Sequence, residues 1–326
     1  MKEKDIRHPA ALSRYLELVQ EDIHTLFGDI HSFERVACPG CGGGGHTEEF
    51  IKAGFKYVTC GDCGTIFANP RPTPEMLKEF YINSQSSIYW VEEFFFPMVE
   101  ARREKIFAPR AAFVAEELAP LAGESVAEIG AGFGLFLEEL HRLWPKSPMV
   151  AIEPSASMAA ICQVKGFEVV DSTIEELEGQ EGRFGLVCAF ELLEHLHEPR
   201  RLLEKARVML RLGGYLVATT LNGEGFDIQV LWEESKSVHP PHHLNFFNPQ
   251  SLAGLCIATG FKVEEIATPG RLDWNIVENA LAEGTDVGRF WRLLAKKGSE
   301  PAKQDLQKWI SQNGFSSHMR LVARKF

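Results

Sequence analysis

Apolar and polar positions follow two periodicities along the chain. Near the start, Leu12, Leu16, Val19 and Ile23 recur at helical spacing, which predicts an amphipathic helix within residues 1 to about 30. From Ser125 onward the pattern alternates between strand and helix. Short β-rich apolar runs stand at 126–129, 149–152, 167–170, 184–190 and 215–220, with helical stretches at 135–143, 155–165 and 199–210. A helix at 252–259 and a strand at 261–266 follow, then about fifty residues of helical pattern and a last strand at 319–324. Such runs are buried on both faces and separated by helices, which predicts a parallel sheet in a doubly wound α/β domain.

The stretch between these regions is different. Asn69-Pro70-Arg71-Pro72-Thr73-Pro74 is a stiff linker, and Thr73 is placed to cap a helix starting at Pro74. An aromatic cluster follows, with Tyr81, Tyr89, Trp90, Phe94, Phe95 and Phe96, and then a longer helix from about Val99 to Leu118. The cluster reads either as packing or as a roof over a site.

Composition adds limits. The chain has 326 residues, 45% hydrophobic and 24% charged, which is globular and large enough to bury a core without disulfides. No run approaches a membrane span and no secretory signal is visible, so the expectation is a cytoplasmic protein. The net charge of −11 argues against general affinity for nucleic acid or an anionic membrane. The last forty residues, however, carry nine lysines and arginines against two acids. They read as a solvated face or as a docking surface.

Four of the seven cysteines, Cys38, Cys41, Cys60 and Cys63, form C-x2-C-x18-C-x2-C. In a chain without an export signal this spacing reads as a Zn2+ site, with disulfides or a redox pair as the alternative. Four thiolates close a tetrahedron and leave no open position, so the metal would be structural. From Glu34 to Arg71 the ribbon holds four acids and four bases, and a nucleic-acid-binding ribbon would be more basic.

The first strand of the α/β region runs into Glu128-Ile129-Gly130-Ala131-Gly132-Phe133-Gly134, where a helix begins at once. Glycines here let backbone approach a ligand at a helix N-terminus. A dinucleotide fingerprint would need glycine at 135, where the chain has Leu135. Glu153 ends the second strand, where a carboxylate can accept both hydroxyls of a ribose.

Together with Phe190-Glu191-Leu192-Leu193-Glu194-His195, these residues resemble class I S-adenosylmethionine-dependent methyltransferases. The cysteine knuckles, Asn69-Pro70-Arg71-Pro72 and His242-His243-Leu244-Asn245-Phe246-Phe247 resemble a bacterial subgroup with an N-terminal zinc ribbon. The resemblance implies a Rossmann-like methyltransferase sheet with a zinc ribbon and helical insertions. It divides the chain into an N-terminal helix (1–33), a zinc ribbon (34–72), a helical linker or lid (73–120) and a methyltransferase domain (121–326) with an insertion at about 270–317. The implied cofactors are S-adenosyl-L-methionine and Zn2+. Glu128, Gly130, Gly132 and Gly134 would hold the methionine part, and Glu153 with Pro154 the ribose. Asp171, Thr173 and Ile174 would flank the adenine, although Thr173 stands where the family usually has an acid. Phe190 and Glu191 would line the methyl side.

Methyl transfer needs a base only where the nucleophile carries a proton it cannot lose unaided. His195, His242 and His243 are the candidates, each placed at the C-terminal edge of the sheet. Local packing is the alternative for His195, and a metal site with His239 the alternative for the loop histidines. The expected acceptor is a small molecule, a sugar, lipid or secondary-metabolite intermediate. An RNA methyltransferase and a catalytically silent scaffold are the competing readings. A homo-oligomer stays open. The acceptor pocket is expected between the aromatic stretch and the 270–317 insertion, enclosed by Trp90, Phe246 and Trp274.

Overall fold

Proline at the first position of a helix loses nothing, because that N–H has no intrahelical partner, and Pro9 starts helix α1 (Pro9–Leu26) in this way. The computed structural model describes residues 2–28 and 30–326; Met1 and Asp29, inside the expected 1–33 segment, lie outside the described residues. The buried face of α1 is Tyr15, Leu18, Val19 and Asp22, while Leu12 and Leu16 are half-buried. Two polar side chains displace apolar ones from the expected stripe because each finds a partner. Tyr15 meets His242, and Asp22 accepts the Ser86 N–H at 2.8 Å.

The cysteine-bearing module forms β1 (His46–Lys52), β2 (Phe55–Cys60) and β3 (Ile66–Ala68), paired antiparallel in that order. Ala53 and Gly54, with φ of 48° and 84°, turn the β1–β2 hairpin. Thr73 accepts the Met76 N–H at 3.3 Å and caps α2 (Pro74–Asn83), as expected. Then come α3 (Gln85–Tyr89), a π-helical turn at Trp90–Phe95, α4 (Val99–Arg102), a second π turn at Arg103–Phe107, and α5 (Ala108–Glu117). The expected single helix over 99–118 is thus a helix with a bulge. Pro109 lacks an N–H and crowds the turn before it, and the π turn lies at that point.

The main sheet is built from β4 (Val126–Ile129), β5 (Met149–Ile152), β6 (Glu168–Val170), β7 (Phe184–Phe190) and β8 (Leu210–Leu221). The helices α6 (Leu135–Leu143), α7 (Ala156–Val164), α8 (Pro199–Met209) and α9 (Phe226–Leu231) accompany these strands. A short strand β9 (Asn245–Phe246) precedes α10 (Pro249–Ala258) and β10 (Phe261–Ala267). Helices α11 (Asp273–Ala282), α12 (Arg289–Lys297) and α13 (Glu300–Gln312) lead to β11 (His318–Lys325). The order across the sheet is β10-β11-β8-β7-β4-β5-β6. Strands β8 to β6 are parallel, and β11 lies antiparallel to both β10 and β8. From β4 the strand order runs outward through β5 and β6 on one side and through β7 and β8 on the other, and this switch point between the parallel strands β4 and β7 opens the ligand crevice at their C-terminal ends. Apolar residues fill both faces: Ile129, Val150 and Val187 on one, Val126, Leu186 and Val217 on the other.

The cysteine module does not stand apart. β9, from the loop after β8, pairs antiparallel with β3 through Ile66 opposite Phe246 and Phe67 opposite Asn245, completing a four-stranded sheet. Helices α11 to α13 pack a satellite core of Trp274, Val277 and Val287 against Leu231 of α9. Among the described residues, no helix is long and apolar enough to cross a membrane.

Candidate active site

Gly130, Gly132 and Gly134 all take left-handed backbone, with φ of 69°, 55° and 64°. A side chain at Gly134 would meet Cys162 Sγ at 3.0 Å and the Phe167 ring at 3.2 Å, so strain and space both select glycine there. The Gly132 N–H donates to Glu153 Oε2 at 2.7 Å, and the Ser155 N–H to Glu153 Oε1 at 2.9 Å. Glu153 is therefore held at the turn by both oxygens. Burial raises its pKa despite those bonds. Glu128 is buried in β4, and its Oε2 has no hydrogen-bond partner. Burial pushes its carboxyl well above the usual carboxylate range, against the pull of Arg110.

Glu191 directly follows β7 in left-handed backbone, φ 50°. Its Oε1 accepts from Thr219 Oγ1 at 2.6 Å and from Arg110 Nη2 at 3.1 Å, with His318 Nδ1 at 3.4 Å. Burial opposes ionisation, but His318, Arg110 and Thr219 outweigh it and bring the carboxyl down to about 2. Phe190 packs edge-on against Phe136 at 4.6 Å, with the Arg110 guanidinium 4.3 Å above its ring. Around β6, Asp171 is exposed and the Thr173 hydroxyl accepts the Glu176 N–H at 3.3 Å. Ile174 is buried in the core, and Pro154 is exposed. The aromatic stretch does reach the glycine turn. Phe95 stacks on Phe133 at 5.0 Å and 19°, and Arg102 lies 4.4 Å above Phe95.

The predicted histidines come together. His195 and His243 have ring centres 4.9 Å apart, and His195 and His242 are at 6.2 Å. His239 stacks on His242 at 5.2 Å and 9°. The Tyr15 hydroxyl lies 2.7 Å from His242 Nε2, and the Tyr81 hydroxyl 3.3 Å from His195 Nδ1. His243 Nδ1 lies 2.6 Å from the Ser237 carbonyl. A carbonyl only accepts, so the proton of a neutral imidazole sits on Nδ1 and Nε2 keeps its lone pair. Burial lowers the pKa of all four, to about 3 for His195 and about 4 for His243. Glu194, His195 and His243 bring ligand-type atoms within 4.8 Å of one another; that set, rather than the three loop histidines, converges.

The expected enclosure differs. Phe246 is buried in the core of the cysteine module and Trp274 in the satellite cluster, because β9 pairing and α9 packing claim them. Trp90 stacks on Phe94 at 4.4 Å instead and packs tilted against Tyr15 at 4.9 Å.

Residues 98–266, about half of the chain, match the family model of a methyltransferase domain. This chain belongs to the class I S-adenosylmethionine-dependent methyltransferases. The ubiquinone biosynthesis O-methyltransferase of Azorhizobium caulinodans is 30% identical over 192 residues, covering 54% of this chain and 73% of that protein. Its Xanthomonas euvesicatoria counterpart is 28% identical over 160 residues, 45% of this chain and 66% of that one. A solved geranyl diphosphate methyltransferase, 14% identical, superposes with a TM-score of 0.47 over 67% of this chain and 78% of that one.

The methyltransferase is an enzyme that takes its methyl group from S-adenosylmethionine. The crevice of this chain fits that group: three left-handed glycines that let backbone approach closely, a carboxylate just after β5, and an unanswered buried oxygen on Glu128. In the ribbon of the methyltransferase, the four cysteines are unpaired by disulfides and their sulfurs lie within 4.8 Å of one another. Cys38 Sγ is 3.5 Å from Cys63 Sγ, and Cys41 Sγ is 3.5 Å from Cys60 Sγ. A tetrahedron of sulfurs about 2.3 Å from a metal has edges of about 3.8 Å.

Three residues at this site escaped the sequence reading. Tyr15, Arg102 and Arg110 lie on helices that precede the sheet, and no local motif marks them, whereas Tyr81 belongs to the aromatic cluster. An arginine or tyrosine on a half-apolar helix reads as surface until the partner helix is placed.

Proposed function

We propose that this methyltransferase acts on a small-molecule acceptor with a proton-bearing nucleophile, and that His243 takes up that proton. The observation that carries the proposal is the hydrogen bond from His243 Nδ1 to the Ser237 carbonyl, which leaves Nε2 as an acceptor beside His195 and Glu194. An imidazole held neutral by burial is ready as a base throughout the physiological range. Bound S-adenosylmethionine supplies a methyl group activated on a sulfonium. The residues that would hold it are Glu128, Gly130, Gly132, Gly134, Glu153, Phe190 and Glu191, with Asp171 and Thr173 at the adenine side. The ionised Glu191 anchors Arg110 over Phe190, and Phe95 on Phe133 excludes water from the glycine turn. His195, held by Tyr81, orients the acceptor.

A hydroxyl oxygen is the acceptor atom that the O-methyltransferase relatives support. Three cations of the basic C-terminal segment, Arg292, Lys303 and Arg320, form ion pairs with Asp286, Glu278 and Glu265, which supports a solvated face over an RNA surface. Zinc in the ribbon would be structural, because four thiolates fill its coordination.

Screening hydroxyl-bearing small molecules for release of S-adenosylhomocysteine would find the acceptor. His243→Asn should then lower kcat by roughly 10²–10⁴-fold, the usual contribution of a positioned base, with cofactor affinity unchanged. Full kcat in that variant would remove His243 from the chemistry.

A further inference from the structure

A cleft of about 490 Å³ lies outside the cofactor crevice, on the far side of the histidine cluster. Three elements wall it: α1 through Leu16 and Gln20, the β1–β2 hairpin through Lys52 and Ala53, and the loop before β9 through Val238 and His239. His239 belongs to the cleft and to the cluster alike. Its ring stacks on His242 and lies 6.1 Å from His243, so one imidazole separates the cleft from the base.

The charges in the lining are unevenly answered. Glu283 pairs with Lys236 at 2.7 Å, and Glu17 with Arg14 at 3.0 Å. Lys52 alone among the charged lining residues makes no ion pair among the described residues; its ammonium donates to the Ser235 carbonyl at 2.8 Å. Two of its three hydrogens remain for another acceptor. Burial lowers its pKa to about 8, and Glu233 and Glu234 act in the opposite direction from a distance. A half-buried ammonium without a counterion is costly to hold and is satisfied by an arriving anion. The Nε2 of His239, at the inner wall, is also buried without a partner.

We infer that this cleft receives the part of the methyl acceptor remote from the reacting atom, and that Lys52 binds an anionic group, carboxylate or phosphate, carried on that part. The inference rests on the reading that the histidine cluster faces the reacting atom. It gives the ribbon a role in recognition, since the hairpin that carries Lys52 is part of the cysteine module. Binding energy gathered there would position the nucleophile without touching the cofactor.

The test uses the full-length, metal-loaded protein with two simple probes, inorganic pyrophosphate and malonate. Each is titrated while the acylation rate of Lys52 is followed by peptide mass spectrometry. At least one probe should slow acylation of Lys52 fivefold or more while leaving exposed Lys78 unchanged. Which probe protects decides between phosphate and carboxylate. By calorimetry, Lys52→Met should weaken that probe at least tenfold, Lys52→Arg should retain most of the affinity, and Lys236→Met should leave it intact. Protection by neither probe, or equal protection of Lys52 and Lys78, would overturn the inference, even if Lys52→Met failed to fold. The readout needs no turnover, so it stands apart from the fate of His243 as base.

Discussion

Arg71 Nη2 donates to Asn245 Oδ1 at 2.9 Å, and Asn245 Nδ2 donates onward to the carbonyls of Leu193 at 3.1 Å and Leu196 at 2.8 Å. One chain of hydrogen bonds thus runs from the end of the ribbon to the turn that bears His195. The other Arg71 donors reach the Ala68 and His197 carbonyls, each at 3.0 Å. The guanidinium is fully buried, and burial lowers its pKa to about 10, so it remains charged at neutral pH. It holds the ribbon, β9 and the turn that bears His195 in one arrangement.

Arg71→Met should therefore cost about 3 kcal/mol of stability, because it takes the donor from two buried acceptors, the Ala68 carbonyl and Asn245 Oδ1, and from the part-buried His197 carbonyl. A shift of the urea midpoint measures it. Arg71→Lys should recover only part, since an ammonium cannot span the three directions of the planar fork. An unchanged midpoint in the methionine variant would mean that the network carries no stability.

Metal analysis of the purified methyltransferase should find one zinc per chain, lost in Cys60→Ser. Chelation should lower the melting temperature and leave cofactor affinity nearly intact, because the glycine turn is held by Glu153 and packed by Phe95, both outside the ribbon. A chain without zinc, or with these cysteines joined as disulfides, contradicts the assignment.

Glu153→Ala should weaken S-adenosylmethionine by roughly 1.5–3 kcal/mol, the range for a hydrogen bond to a charged group. The same substitution frees the N–H groups of Gly132 and Ser155. Calorimetry that shows unaltered affinity would place the ribose elsewhere.

His242 should make the methyltransferase acid-sensitive. Burial, with His239, His195 and His243 adding to it, holds its pKa well below 6.5. The unfolded chain therefore takes up a proton near pH 6.5 that the folded chain refuses. Stability from this group is fully present above that pH and is lost as pH falls towards the depressed folded value. Raised carboxyls such as Glu128 and Glu194 act in the opposite sense, so the comparison must be between proteins that share them. The stability of wild type relative to His242→Asn should fall between pH 7.5 and pH 5, in paired denaturation curves. A constant difference would show that His242 titrates normally.

Local pattern carried much of the way to this structure. The strands at 126–129, 149–152 and 184–190 coincide with their apolar runs, because a strand buried on both faces needs a continuous run. The glycine turn was legible because left-handed backbone selects glycine residue by residue, and the knuckles because thiolate spacing follows from the size of a metal site. The relations that build the active site are of another kind. Tyr15 meets His242 across 227 positions, and Arg71 meets Asn245 across 174. β9 adds to the ribbon sheet with only two residues, too few to show a period. Phe246 and Trp274 looked free to wall a pocket and were claimed by other cores, while Leu16 and Lys52 took up the cleft. Side-chain type and spacing act within a turn or a strand; which faces meet is chosen by packing over the whole chain, and no short window contains that choice.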